Sequence, residues 1–317
     1  MYSLLSVWTP VALYFLRASA TPSPHVGPLF ARQIDRNDKN YYIGYHGDDF
    51  ETPYAKYFNA TQPTLSEEFI SGLQESPYPH DLTVDISDAP KALNQPGYLE
   101  LENGFSRLSD GSLSLTIHTE APSGLTGEML DWWFSWHTND TRKYKLWNPG
   151  AHQYAAINPI AKEKSSQKSY SERYWNVTSF VDEYIGTTPY KLSISFFEPS
   201  LMGFSKENNE SGVLGMVSAF VSLFQYEDQN IAQAKQGLGP LTAVLVHQLR
   251  RKPNGRGNEF RSRFWFGNLL VAGMSVAGGS EKLAHDLSVH CFNEMSHLGT
   301  FLPGLFEEFK MDVSVGY

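Results

Sequence analysis

Short segments in which apolar side chains occupy every second position limit the fold of this chain more than any other feature. They cover residues 111–118, 191–197 and 242–247, and residues 260–266 are predicted as a further strand. Successive side chains of a strand point to opposite faces of a sheet, so such segments are typical of half-buried strands. No regular strand–helix alternation connects them, as a parallel sheet would require. The pattern therefore predicts an antiparallel sheet.

One long helix is predicted near the C-terminus, where Ser280 and Glu281 form a typical helix start. Steps of three or four residues then place these side chains on one helix face: Leu283, Leu287, His290, Glu294, His297 and Phe301. Proline lacks the backbone N–H that a helix interior needs, so Pro303 is expected to end the helix after about six turns. These patterns predict an α+β fold in which a curved antiparallel sheet grips one long C-terminal helix.

Composition divides the chain into three parts. Residues 1–20 are largely apolar and end in Ala18-Ser19-Ala20, which is typical of a secretory signal peptide. Residues 21–96 are rich in Pro, Asp, Asn and Tyr and are predicted to form a loop-rich or small helical N-terminal subdomain. Residues 97–317 contain the predicted sheet and helix and are expected to form the main domain.

A secreted protein, or one in the lumen of the secretory pathway, is the corresponding expectation. Four Asn-x-Ser/Thr sequons support it: Asn59, Asn139, Asn176 and Asn209. The only cysteine, Cys291, excludes an internal disulfide, so the core alone must stabilise the exported protein. Cys291 falls inside the helical apolar pattern, where a buried and inert thiol is the usual case, so thiol catalysis is disfavoured.

Charge and hydropathy narrow the class of partners. The formal net charge is -9 and the longest basic run is Arg250-Arg251-Lys252, so nucleic-acid binding is not expected. Beyond the leader, the longest uncharged stretches are residues 211–226 and 264–280. Both are shorter than the roughly 20 apolar residues of a membrane helix, so no membrane attachment is expected after signal removal. A homodimer is kept as an alternative to a monomer.

The pair His290 and Glu294 interrupts the apolar face of the predicted C-terminal helix. An i, i+4 spacing projects imidazole and carboxylate from the same helical stripe. A buried carboxylate without a partner costs several kcal/mol, and a divalent metal supplies the compensating charge. The pair therefore indicates a metal site, with a hydrogen-bonded pair on a solvated helix face as the alternative.

A dense aromatic cluster runs from residue 127 to 137, as Gly-Glu-Met-Leu-Asp-Trp-Trp-Phe-Ser-Trp-His. Polar side chains interrupt it, and a small number of polar groups among aromatic ones is typical of a pocket for an aromatic ligand. Trp136 and His137 are the candidate substrate contacts within it. The alternative is an aromatic core, since such stripes more often pack the interior.

Several spaced motifs resemble the family of the 2,4-diacetylphloroglucinol and phloretin hydrolases. The family signature is similar to Glu-Met-x-Asp-Trp-Trp-Phe-x-Trp-His at residues 128–137 and Arg-x-Tyr-Lys-Leu-Trp-x-Pro-x-x-His at residues 142–152. The resemblance continues at residues 181–186, at 260–265 and at 290–294, in the same order along the chain. Several motifs in order are more specific than any single one.

The resemblance implies one zinc ion per chain, held by His152, Glu183, His290 and Glu294. Histidine nitrogen and carboxylate oxygen are ligands that zinc accepts, although other transition metals accept them too. It also implies a helix-grip fold of the START and birch-pollen-allergen type, which agrees with the predicted sheet and helix. Tyr144 matches a family tyrosine that holds the phenolic substrate.

The implied substrate is a small aromatic or polyketide molecule, and the implied reaction is hydrolysis of the carbon–carbon bond between an acyl group and a polyphenol ring. The metal would polarise the acyl carbonyl, and the ring carbon would leave after protonation. Tyr144 would position the phenolic oxygens and help to move that proton. His247, within the apolar strand 244–249, is the next catalytic candidate, with a satisfied core histidine as the alternative.

One position departs from the family pattern, because the asparagine expected three residues after the first metal histidine is Ala155 here. Two alternatives therefore stay open. The first is a protein that binds an aromatic metabolite without converting it, and bound metal would argue against it. The second is a metal-dependent cyclase or isomerase of polyketide biosynthesis, which the mass of the product distinguishes from a hydrolase.

Overall fold

The structure of the chain is a computed structural model. It describes residues 41–157, 168–205, 212–225, 243–267 and 279–311. The predicted signal peptide and the sequon at Asn209 lie outside the described residues. Among the helices of the described ranges, none is both long and apolar enough to cross a membrane.

Helices and strands alternate irregularly along the described chain. The helices are α1 (Glu67–Glu75), α2 (Ala89–Leu93), α3 (Gly127–Trp136), α4 (Thr141–Trp147), α5 (Tyr170–Tyr174) and α6 (Gly279–Phe309). The strands are β1 (Gly104–Arg107), β2 (Leu113–Ala121), β3 (His152–Ile157), β4 (Thr178–Ile185), β5 (Thr188–Phe197), β6 (Val213–Gln225), β7 (Ala243–Arg251) and β8 (Asn258–Phe266). Short 3₁₀ helices occupy Gly47–Glu51, Ala55–Tyr57, His80–Leu82 and Pro199–Met202.

The strands form one antiparallel sheet in the order β1-β2-β8-β7-β6-β5-β4-β3. Each segment predicted from alternation is a strand, and β2 packs against the long helix α6. On β2, Leu113, Leu115 and Ile117 share one face and are buried in the core that also contains Leu298 of α6. The predicted α+β fold, with an antiparallel sheet and one long C-terminal helix, is confirmed.

The opposite face of the sheet is also covered, which the alternating patterns did not predict. Trp265 and Val246 pack there in a second, smaller core with Leu93 of α2. Buried ion pairs lie beside this core, with Arg250 Nε 2.6 Å from Glu259 Oε1. Polar side chains on this face are paired with other protein groups and are not exposed to water. Both faces of the sheet are therefore buried, although the strands alternate between apolar and polar residues.

Helix α6 continues past Pro303, so the prediction that it ends there is wrong. An interior proline removes one backbone hydrogen bond and costs about 3 kcal/mol. The turn that follows buries Leu305, Phe306 and Phe309. Each such side chain contributes roughly 1.5–3 kcal/mol on full burial, so packing offsets the proline. Phe306 makes an edge contact with Trp132, with ring centroids 5.5 Å apart.

The segment 41–96 consists of loops and short helices, and its apolar side chains belong to the same core as the rest of the chain. Tyr54 and Phe69 are buried, and Phe69 packs on Phe292 of α6 with ring centroids 4.4 Å apart. The boundary at residue 96 between a subdomain and a main domain stays a prediction. Of the described sequons, Asn59 and Asn176 are exposed, whereas Asn139 is partly buried.

The N-terminal segment holds the outer side of α4. Asp49 lies 3.7 Å from Lys145, and neither side chain is exposed. The Tyr42 hydroxyl donates to Asp49 over 2.6 Å, and Lys145 Nζ lies 3.6 Å from the centre of the Tyr42 ring. The Tyr45 hydroxyl donates to the backbone oxygen of Arg142 over 2.5 Å. These contacts hold the short helix on which Tyr144 lies.

Replacing Asp49 with alanine is expected to lower the free energy of unfolding by about 3 kcal/mol, because it removes a carboxylate that neutralises a buried lysine. Urea unfolding measures the change. The exposed neighbour Asp48 provides the control, since Asp48→Ala should change stability by less than about 0.5 kcal/mol. Equal losses in the two variants would contradict a specific role for the Asp49–Lys145 pair.

Candidate metal centre and aromatic cavity

Two pairs of potential metal ligands face each other between the sheet and α6. His152 begins β3 and is paired with Glu183 of β4 in the antiparallel register. Directly opposite side chains on neighbouring strands have Cβ atoms about 5 Å apart, so this pair is formed by the sheet. His290 and Glu294 lie one turn apart on α6. All four side chains are buried.

Ligand atoms of His152, Glu183 and His290 lie within 4.8 Å of one another, and Glu294 adjoins both histidines. His152 Nε2 lies 3.0 Å from Glu294 Oε1 and 3.6 Å from Glu183 Oε2. His290 Nε2 lies 3.4 Å from Glu294 Oε1 and 3.5 Å from Glu183 Oε1. Ligands of a tetrahedral zinc ion lie roughly 3.4 Å from one another, given bond lengths of about 2.1 Å. The spacing therefore fits a metal ion.

Backbone carbonyls fix the tautomers of both histidines. His152 Nδ1 lies 2.9 Å from the backbone oxygen of Tyr144, and His290 Nδ1 lies 3.0 Å from that of Tyr184. A carbonyl oxygen only accepts hydrogen bonds, so each Nδ1 carries a proton and each Nε2 is the nitrogen that faces the carboxylates. His152 Nε2 receives no hydrogen bond from the described residues. This arrangement is typical of metal-ligating histidines.

The cluster requires positive charge. Among the described residues, neither Glu183 nor Glu294 forms an ion pair with lysine or arginine; both face histidine nitrogens. Burial alone would lower the pKa of His290, but the Glu294 and Glu183 carboxylates raise it to about 9. A protonated His290 balances only one of the two buried carboxylates, whereas a divalent metal would supply charge for both. The donor set therefore fits a divalent metal.

Tyr144 connects this cluster to the adjacent cavity. Its hydroxyl donates a hydrogen bond to Glu183, and its ring stacks on the His152 ring with centroids 3.6 Å apart. Burial and the Glu183 carboxylate raise the pKa of Tyr144 well above its usual value. The hydroxyl therefore stays protonated and acts as a donor. The sequence alone had not assigned Glu183 as the partner of this hydroxyl.

A cavity opens beside the cluster, between α6 and the inner face of the sheet. Tyr144, Glu183, His290 and Glu294 line it. The strands β5 to β8 contribute a largely apolar wall: Leu192, Ile194, Phe196, Val221, Leu245 and Phe264. An apolar wall with a few polar groups is typical of a site for a small aromatic ligand.

His247 also lines the cavity, from β7. Its Nδ1 lies 2.8 Å from the hydroxyl of Ser262, its cross-strand neighbour on β8. Burial lowers the pKa of His247 to about 4, so the ring is neutral at physiological pH. The structure therefore brings this sequence-predicted residue to the cavity beside the four buried His and Glu residues.

Trp136 and His137, the two predicted substrate contacts, lie in different surroundings at the end of α3. His137, which directly follows α3, lines the cavity, whereas Trp136 packs on the other side of the helix and is absent from the lining. The Trp136 ring lies against Tyr54, and Lys143 Nζ lies 4.3 Å from the indole centre. Trp136 thus packs in the core and lies outside the cavity lining, and its role as a substrate contact stays a prediction. The helical period aims Phe134 at the cavity instead.

Comparison with known proteins adds an independent observation. The family model described as the DAPG hydrolase PhiG domain matches residues 82–307 of this chain.

The chain belongs to this family.

Relatives in the DAPG hydrolase family cover most of its length. A 2,4-diacetylphloroglucinol hydrolase of Pseudomonas sp is 28% identical over 278 residues, which is 81% of this chain and 88% of the relative. A phloretin hydrolase of Eubacterium ramulus is 25% identical over 276 residues, covering 84% of this chain and 94% of the relative. Among solved structures, ginseng major latex-like protein 151 from Panax ginseng is 13% identical with a TM-score of 0.35, covering 59% and 98% of the two chains.

Residues 82–307, which match the family model, include the four buried His and Glu residues and all the residues named as lining the cavity. The family resemblance that the spaced motifs indicated is confirmed. Ala155, where the motif suggested asparagine, is buried beside this region, and its backbone N–H donates to the Thr141 hydroxyl over 3.2 Å. Asp49, which lies beside Lys145, is outside the residues that match the family model.

Sequence reasoning missed Trp147 and Ser179, which also line the cavity. The Trp147 indole N–H donates to the backbone oxygen of Glu294 over 3.0 Å, and so ties α4 to the turn that carries a cluster residue. Trp147 is part of the family motif, which was the available signal. For Ser179 the signal was strand alternation, because it lies two and four residues before Val181 and Glu183 on the same face of β4.

Proposed function

We propose that this protein is a zinc-dependent hydrolase that cleaves the carbon–carbon bond between an acyl group and a polyphenol ring. The observation that carries the proposal is the buried cluster of His152, Glu183, His290 and Glu294 on the wall of an apolar cavity. The names of the relatives support this class of substrate, since they are hydrolases of 2,4-diacetylphloroglucinol and of phloretin.

The four cluster residues would hold the metal, with the two Nε2 atoms and the two carboxylates as ligands. A divalent cation supplies Lewis acidity there, which polarises a carbonyl and makes water more acidic. The protein's own contribution is to fix the ligands. The backbone oxygens of Tyr144 and Tyr184 orient the imidazoles, and the Tyr144 hydroxyl orients Glu183.

The hydrolysis adds the hydroxyl group of water to the acyl carbon and a proton to the ring carbon, giving a carboxylic acid and a deacylated phenol. Tyr144 is the residue we assign to the proton at the ring carbon, because its hydroxyl is a protonated donor on the cavity wall. His247, neutral and facing the same cavity, is assigned to a phenolic oxygen. The apolar wall excludes bulk water from the reacting ring.

Incubation with an acylphloroglucinol in ¹⁸O-labelled water tests the proposed reaction. We expect phloroglucinol and a carboxylic acid that contains the label, detected by mass spectrometry. A product that keeps the acyl group, with the mass of the substrate or that mass less one water, would indicate an isomerase or a cyclase instead. Tight binding with no product at full metal occupancy would indicate a protein that only binds the aromatic molecule.

A further inference from the structure

His137 is held rigidly at the C-terminal end of α3. Its backbone N–H and its Nδ1 both contact the backbone oxygen of Trp133, at 3.0 Å and 2.7 Å. Its ring stacks on the Trp133 indole, with centroids 4.5 Å apart and planes 15° apart. Trp147 closes another side with an edge contact at 5.3 Å. The imidazole therefore has little freedom to rotate.

These contacts determine what the other ring nitrogen can do. Since the Trp133 oxygen only accepts, Nδ1 carries the proton and Nε2 is an acceptor with a lone pair. Within the described residues, Nε2 of His137 has no hydrogen-bond donor, and the side chain lines the cavity. Burial lowers the pKa of His137 to about 3, so the ring does not become a cation near neutral pH.

The Tyr144 hydroxyl donates to Glu183, and the Ser179 hydroxyl donates to the Thr138 backbone oxygen over 3.4 Å. His247 Nδ1 contacts the Ser262 hydroxyl, which can donate or accept, so this contact does not fix the tautomer of His247. His137 differs, because a backbone oxygen fixes its tautomer and leaves Nε2 as an acceptor on a residue that lines the cavity. A ligand that supplies a donor to this acceptor gains affinity there.

We infer that His137 Nε2 accepts a hydrogen bond from a free phenolic hydroxyl of the substrate and thereby selects acylphenols that carry it. The inference rests on the proposed function, since it takes the cavity to be the substrate site. A carbonyl or ether oxygen cannot take this place, because it has no proton to donate. Sites that hydrogen-bond a hydroxyl discriminate strongly against analogues that lack it.

Binding measurements test the inference separately from turnover. The probes are trihydroxyacetophenone and the two dihydroxyacetophenones that lack either the para or one ortho hydroxyl, so that no bulk is added. Quenching of tryptophan fluorescence reports binding to the metal-loaded protein. We expect one of the two deoxy probes to bind about 10- to 100-fold more weakly than the parent. In His137→Phe the ratio of the dissociation constants of that deoxy probe and the parent should fall below about 3-fold. In His137→Gln, which keeps an acceptor oxygen, the ratio should partly recover.

His297→Phe provides the matched control, since His297 is a buried histidine whose Nδ1 also contacts a backbone oxygen, that of Trp147, and it does not line the cavity. In this variant the ratio of the dissociation constants of the deoxy probe and the parent should stay at the wild-type value. Equal binding of all probes by the wild type, or an unchanged ratio in both His137 variants, would overturn the inference even if turnover continues. Discrimination in binding without turnover of any probe would leave the inference standing and reject the proposed function.

Discussion

The double variant His290→Ala, Glu294→Ala is expected to lose stoichiometric metal and to lose turnover by about 1,000-fold or more. It removes one histidine and one glutamate of a group in which each histidine Nε2 lies 3.0–3.6 Å from a carboxylate oxygen of both glutamates. A bound metal contributes several kcal/mol of charge stabilisation to a hydrolytic transition state, which corresponds to a loss of this size. Elemental analysis of purified protein gives the metal content, with about one ion per wild-type chain expected.

The stabilisation that added metal gives separates a metal site from a structural ion-pair network. In the metal-free protein Glu294 Oε1 lies 3.0 Å from His152 Nε2 and 3.4 Å from His290 Nε2. Glu294→Gln removes a carboxylate that raises the pKa of His290, so the metal-free variant should melt below the metal-free wild type, and added Zn²⁺ should raise its melting temperature less than that of the wild type. Glu307→Gln on the same helix is the control, because Glu307 is exposed and pairs with Lys310. Metal retained at one ion per chain in the double variant would exclude the helix pair from the site.

Tyr144→Phe is expected to lower turnover by about 100- to 10,000-fold, which is the usual contribution of a general acid or base. The ring that stacks on His152 remains, so the substitution isolates the hydroxyl. Because that hydroxyl also donates to Glu183, metal affinity should fall by about 10- to 100-fold, as for other partners of metal ligands. The assay is therefore release of phloroglucinol at saturating metal, with occupancy measured in parallel.

Tyr174→Phe is the matched control for this substitution. Tyr174 is buried to the same degree, and its hydroxyl donates to a carboxylate, that of Asp131, over 2.8 Å. It does not line the cavity. Loss of a hydrogen bond there should lower stability by about 1 kcal/mol and leave turnover within about 3-fold of wild type. If Tyr144→Phe turns over substrate as fast as the wild type at equal metal occupancy, Tyr144 has no part in the proton transfer.

Part of the fold and of the site follows from local patterns. The alternation of apolar residues predicts β2, β5, β7 and β8, because the two-residue period of a strand does not depend on what the strand packs against. The same argument, with a helical period, predicts that His290 and Glu294 share a face of α6. His152 and Glu183 are identified only by the family motifs, because no periodic pattern indicates them.

Tertiary structure decided the rest. His152 and Glu183 meet because β3 and β4 pair in one register, and both meet His290 because α6 lies against the sheet, more than 100 residues later in the chain. The continuation of α6 through Pro303 has the same origin, since burial of Phe306 and Phe309 outweighs a local cost.

Local sequence patterns thus determined which segments could form strands, which residues share a helix face and which side chains could be ligands in this protein. Only the packed structure decided that Trp136 faces the core while His137 faces the cavity, and that the Tyr144 hydroxyl contacts Glu183. The physical reason is that a side chain's neighbours are set by contacts between segments distant in sequence. Desolvation, the tautomers fixed by backbone oxygens and the charge of the cluster all depend on those neighbours.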